Sequence, residues 1–214
     1  MNLAQHNIEL ACRDIQMTLD KADTSFYIKN TFYRFLNDNR ANFFDRENMQ
    51  GHFTSSCFVI DPTHTKILLV HHKKVGKWLQ PGGHWDEVDT CAINVFDNAL
   101  KELREEAYGE RAMPYKLLNN GQAYHLDIHE NLKDKISHKH YDIGYLLEID
   151  DTLPIAFRSE ESHGAAWFEM QYVLDNKEQF VFSSKRLSEV ILKIQNDKKL
   201  QIFNKVSSSA SLRP

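Results

Sequence analysis

Glu102, Glu105 and Glu106 crowd one short segment, and the pair Gly82-Gly83 precedes them across an acid-rich loop. On a helix these carboxylates stand at i, i+3 and i+4 and converge on one face, where like charges repel. Lys101 and Arg104 are the local cations that offset them. A hard cation such as Mg²⁺ takes oxygen ligands and keeps several waters, so it would turn that repulsion into a site. The glycines fit the same chemistry, because backbone without a Cβ approaches a metal or a phosphate closely. A solvated helix face accounts for the glutamates alone.

Other residues carry weaker signals. Among eleven histidines, His138 and His140 share one face of any strand that holds them, and His71-His72 form a second pair. No Cys or HExxH spacing accompanies them, so zinc is poorly supported by sequence. His84, directly after the glycines, is a candidate phosphate contact, and His140 a candidate ligand or phosphate contact. Trp85, in a polar loop, and Tyr141 are candidates for stacking on a base, whereas Trp78 and Trp167 read as core. Lys73, Lys74 and Lys77 read as a solvated turn.

The chain of 214 residues has 42% hydrophobic residues, enough for a proper core, and one domain with an extension is the expected organisation. A net charge of -4 gives no basic surplus for gripping a nucleic-acid polymer. Cys12, Cys57 and Cys91 are an odd set without CxxC spacing, and the first residues lack a basic start before an apolar run. No apolar stretch approaches the roughly 18 residues of a membrane span. A cytoplasmic location without membrane contact is the expectation.

These residues need elements to position them. Residues 1–50 have helical periodicity and form an expected N-terminal extension, a cap or a dimerisation arm. Gly51 then opens β-type patterning in "HFTSSCFVI", "DPTH" reads as a turn, and "KILLVHH" follows as a strand. "KWLQ" reads as a short strand before Pro81, Gly82 and Gly83 break the pattern. "NVFDNALKELREEAY" is a helix, with Val95, Ala99, Leu103 and Ala107 on its core-facing stripe. "YKLLN", "QAYHLDI", "HYDIGYLLEI" and "GAAWFEM" read as strands, and "SKRLSEVILKIQNDKKLQIF" returns to helix before a tail over 206–214 expected to be disordered. Strands on both sides of a central helix favour a mixed α/β layered domain.

The segment from Gly83 to Gly109 resembles a Nudix box, the signature of the Nudix hydrolases. Gly83 matches its opening Gly, Lys101 takes the Arg slot, Glu102 and Leu103 follow in register, and Glu105-Glu106 complete the acidic pair. Three departures stand out. The loop carries a four-residue insertion, leaving Glu87, Asp89 and Asp97 as alternatives for the first box Glu; Lys101 lacks the two-pronged geometry of Arg; and Gly109 comes one residue late, after Tyr108. The similarity extends over residues 51–180, through "GHFTSSCFVI", "WLQPGGH", "HKHYDIGYLL" and "SEESHGAAWF".

The resemblance implies an α/β/α sandwich with a mixed sheet over 51–205. It also implies a Mg²⁺-dependent hydrolase, with Mn²⁺ as the alternative ion, cleaving the diphosphate bond of a nucleoside diphosphate linked to another moiety. Implied metal ligands are Glu102, Glu105, Glu106 and the Gly83 carbonyl, with Glu105, Glu106 or, in "RSEESHG", Glu161 or its neighbour Glu160 as catalytic base. Lys101, His84, Trp85, His140 and Tyr141 make up the expected substrate contacts. The partner is then a small nucleotide-type molecule, and the aromatic-rich arm suggests a homodimer. Two other readings share the fold: an isopentenyl-diphosphate-isomerase-like enzyme using Cys57 or Cys91, and a non-catalytic nucleotide sensor.

Overall fold

The computed structural model describes residues 3–85, 94–131, 138–156, 162–180, 184–197 and 200. At its centre the run "HFTSSCFVI" forms strand β1 (His52–Ile60), every residue of which is buried. Such a strand must be covered on both faces, and the alternation of its side chains divides the work. Ser55 accepts a hydrogen bond from Asn98 Nδ2 (2.7 Å), and Phe53 packs against Phe32 and Phe35. The even-numbered residues turn the other way, where Ser56 accepts from the Arg186 guanidinium (3.2 Å).

Asp61 begins the turn read from "DPTH". Its carboxylate accepts from the backbone N–H groups of Thr63, Thr65 and Lys66 at 3.0, 2.8 and 2.6 Å. An aspartate that gathers amides in this way reverses the chain tightly, and β2 (Lys66–His72) returns antiparallel to β1. The glycine pair, read from sequence as breaking the pattern, is itself a strand. After β3 (Lys77–Leu79) comes β4 (Gly82–His84), which pairs with β1 in the register Ser55↔Gly83. Backbone hydrogen bonds require no side chain, so a nearby ladder overrides the poor strand propensity of glycine.

The remaining strands are β5 (Lys116–Leu117), β6 (His125–Asn131), β7 (His138–Glu148) and β8 (Ser162–Glu169). β7 lies parallel to β1 with His52↔His140 and Thr54↔Asp142 opposed, while β5 and β6 join β7 antiparallel and β8 joins β2 antiparallel. The sheet is therefore mixed.

Helices α1 (Leu3–Lys21), α2 (Phe26–Asp38) and α3 (Val95–Leu103) cover one face. Ile15, Leu19, Phe32 and Leu36 from the first two share a buried cluster with Phe53, Ala99, Leu103 and Ile143. The other face is covered by α4 (Met170–Asp175) and α5 (Ser184–Asn196), whose Val173, Leu187, Val190 and Ile191 pack on Phe58, Ile60, Ile67 and Leu146. This is the layered α/β arrangement with a mixed sheet and N-terminal helices expected from the sequence. No helix among the described residues is long and apolar enough to cross a membrane.

Candidate active site

α3 starts at Asn94, whose side-chain oxygen accepts from the Asp97 N–H at 2.7 Å and so caps the helix. Val95, Ala99 and Leu103 lie on its buried side, as their spacing requires, and burying Leu103 alone contributes about 2 kcal/mol. The chain then widens into one π-helical turn over Arg104–Tyr108, closed by the Gly109 N–H donating to the Arg104 carbonyl at 2.5 Å. Here the late arrival of Gly109 finds its physical account. The extra residue is absorbed by a wider turn, a device that recurs at functional sites.

α3, which carries Glu102, and the π turn, which carries Glu105 and Glu106, deliver the three glutamates unequally. Glu106 is 4% exposed; the Gly82 N–H donates to its Oε2 at 2.9 Å, and the Ser162 hydroxyl to its Oε1 at 3.2 Å. Glu102 lies against Gly83 so closely that a Cβ on that glycine would fall 2.5 Å from Oε2. Glu105 points outward with its side chain 55% exposed, its Oε1 4.0 Å from Lys101 Nζ. Glu102, Glu106 and the glycine pair thus form one cradle, with Glu105 and Lys101 at its rim. Sequence reasoning missed Ser162, because only the sheet brings the start of β8 to this helix.

Several expected residues lie elsewhere. Glu87, Asp89, Cys91, Glu160 and Glu161 fall outside the described residues. Asp97 belongs to the N-terminal cap of α3 and is hydrogen-bonded to Asn94. Trp85 and Tyr141, expected to stack on a base, are each 6% exposed and belong to the core. The Tyr141 ring stacks on Phe35 with centroids 3.9 Å apart. Trp85 reads as part of a polar loop because the residues that bury it with Tyr141 come from elements distant in sequence.

Strand alternation separates Gly83 from His84: the glycine meets Glu102, and His84 turns to the opposite face of the sheet. There its ring lies 4.8 Å from His52 and 5.1 Å from His140, centroid to centroid. Beside them is a buried polar network. The Asp142 carboxylate accepts from Thr54 Oγ1 (2.8 Å) and Ser56 Oγ (2.7 Å) and pairs with the Arg186 guanidinium. Burial alone would raise the Asp127 carboxyl, but its hydrogen bond from His129 and the charge of Arg186 outweigh that and hold it below the ordinary value.

Cys57, the thiol named for isomerase-type chemistry, is buried and donates to the Ala99 carbonyl at 3.3 Å. Burial, then the charges of Asp142, Glu102 and Glu106, push its pKa far up. Such a thiol neither ionises nor exchanges a proton readily.

No family model matches the chain, and no curated protein matches it in sequence. Among solved structures it is similar to a Nudix-family hydrolase from Clostridium perfringens, at 22% identity over 65% of this chain and 95% of that one, with a TM-score of 0.49. It is similar to the Nudix domain of Shewanella oneidensis NrtR complexed with ADP ribose, at 18% identity over 66% and 86%, with a TM-score of 0.49. A third is the C. elegans Ap4A hydrolase in a binary complex, at 13% identity over 67% and 96%, again with a TM-score of 0.49.

Proposed function

We propose that the chain is a Mg²⁺-dependent Nudix-type hydrolase that cleaves the diphosphate bond of a nucleoside diphosphate linked to another moiety. One observation carries this reading: the carboxylates of Glu102 and Glu106 both meet the Gly82-Gly83 backbone. A solvated helix face would leave both in water. The donor set of Glu102, Glu105, Glu106 and the Gly83 carbonyl is all oxygen, which suits Mg²⁺ or Mn²⁺ and not a softer ion. When bound, the ion supplies charge neutralisation and Lewis acidity at phosphorus.

The chain's own residues do the rest. The Gly82 N–H and the Ser162 hydroxyl hold Glu106 in one orientation, so its geometry is set before substrate arrives. Glu105, exposed at the rim, is the proposed acceptor of a proton from water, with Glu161 as the other proposed base. Lys101, at the rim, is the proposed anion contact, whereas His84, expected from sequence in that role, turns to the opposite face of the sheet. The inert surroundings of Cys57 weigh against the isomerase reading by way of that thiol.

The test is hydrolysis of ADP-ribose, dinucleoside polyphosphates, oxidised nucleoside triphosphates and nucleotide sugars with Mg²⁺ or Mn²⁺. Turnover is expected on one of these classes, with a loss of about 100-fold or more in Glu105→Gln and Glu106→Gln. Folded protein that turns over none of them, or a Glu106→Gln variant with undiminished rate, would overturn the reading.

A further inference from the structure

We propose that His52, His138 and His140 form a second metal site, for a transition ion of the zinc type, on the face of the sheet opposite the carboxylates. One ring nitrogen from each of the three lies within 4.8 Å of the other two. Ligand nitrogens of a tetrahedral zinc centre stand about 3.3 Å apart, so small side-chain rotations close the set. The backbone already holds them in place. His138 and His140 occupy one face of β7, and the parallel ladder sets His52 directly opposite His140.

Four imidazoles pack around His140. His52, His84, His129 and His138 all lie with ring centroids 4.6 to 5.3 Å from it. Core packing would normally use apolar rings at such positions. A neutral imidazole is the form that binds metals, and His140 stands at the centre of this group. Its Nε2 is buried without a hydrogen-bond partner. A buried polar atom left in that state within a polar cluster is the expected mark of a missing ligand partner.

Imidazole nitrogens select zinc-type ions and not Mg²⁺, so the two sites differ in chemistry as well as in face. Three protein ligands leave a fourth position, beside which His84 stands. His138 also lines a cleft of about 460 Å³ with Arg34, Glu130, Lys139 and Tyr141, which gives the cluster a route to solvent. On this account His140 is a metal ligand and not the phosphate contact expected from sequence. The proposal does not depend on the hydrolase reading, and its readout is binding.

The experiment uses the full chain, stripped with a chelator, dialysed and titrated with ZnCl₂ in the presence of excess MgCl₂. One equivalent of Zn²⁺ is expected to bind, with affinity falling about 100-fold or more in His138→Ala and in His140→Ala and unchanged in Glu106→Gln. X-ray absorption of the zinc-loaded wild-type protein keeps the test decisive if either histidine variant fails to fold: three or four imidazoles in the first coordination shell are expected. No saturable binding beside Mg²⁺, fewer than three imidazoles, or histidine variants that bind as tightly as wild type would overturn the proposal.

Discussion

Gly82 and Gly83 are adjacent, yet their missing side chains matter for different reasons. A Cβ on Gly83 would meet only the far end of Glu102, a flexible side chain that gives way. Gly83→Ala is therefore expected to cost less than about 1 kcal/mol in denaturant unfolding while lowering hydrolysis about 100-fold, because the displaced carboxylate is part of the cradle. A Cβ on Gly82 would come 2.5 Å from Ser56 Cβ and 2.7 Å from the Ser55 carbonyl oxygen, neither of which can retreat from the centre of the sheet. Gly82→Ala should cost about 3 kcal/mol in the same measurement. Equal losses of stability in the two variants would contradict this assignment.

His125 supplies a pH dependence whose sign follows from its surroundings. Burial, then the positive charge of Arg186, lowers its pKa to about 4 from 6.5, with Lys193 acting the same way and Asp127 and Asp142 partly opposing them. Between these values the unfolded chain binds the proton and the folded chain does not. Stability from this group is complete above about pH 6.5 and is lost as the pH falls towards 4, by about 3 kcal/mol. Urea unfolding across that range should show the slope in wild type and a shallower one in His125→Gln.

At the scale of elements, the π turn carries Glu105 and Glu106 and absorbs the residue that sets Gly109 one position late. Gly109 closes it at φ 64 and ψ -146, a conformation that residues with a Cβ rarely adopt. Gly109→Ala should cost about 1–3 kcal/mol, and the strain should relax through the preceding turn that carries Glu105 and Glu106. Thermal unfolding and hydrolysis are therefore expected to fall together in this variant, unlike Gly83→Ala. Retention of full activity at reduced stability would show that the turn and the cradle are mechanically independent.

Across the whole molecule, α1 and α2 supply part of the core that supports the sheet beneath the cradle. Phe32 is fully buried and meets Phe53 and Tyr141 edge-on, at 5.8 and 5.5 Å between centroids. Phe32→Ala is expected to cost about 3–5 kcal/mol. A chain starting at Gly51 should expose Phe53 and Tyr141 and fail to unfold cooperatively when heated. A cooperative transition in that truncated chain, close to the wild-type temperature, would show that the helices only decorate the fold.

Local pattern was enough for α3, whose stripe of Val95, Ala99 and Leu103 repeats with helical period, and for the turn at Asp61, whose side chain reaches amides within its own segment. It was also enough to single out Glu102, Glu105, Glu106 and the glycine pair, since unusual charge density and missing side chains are visible without coordinates. Tertiary structure decided which of the glutamates meets which glycine, because Gly82 reaches Glu106 only through the pairing of β4 with β1. It decided that Trp85 and Tyr141 are core residues, and that Ser162 touches Glu106. Above all it gathered His52, His84, His129, His138 and His140, which stand on four strands. A parallel ladder joins residues with no short-range relation in sequence, so no periodicity could have announced that cluster.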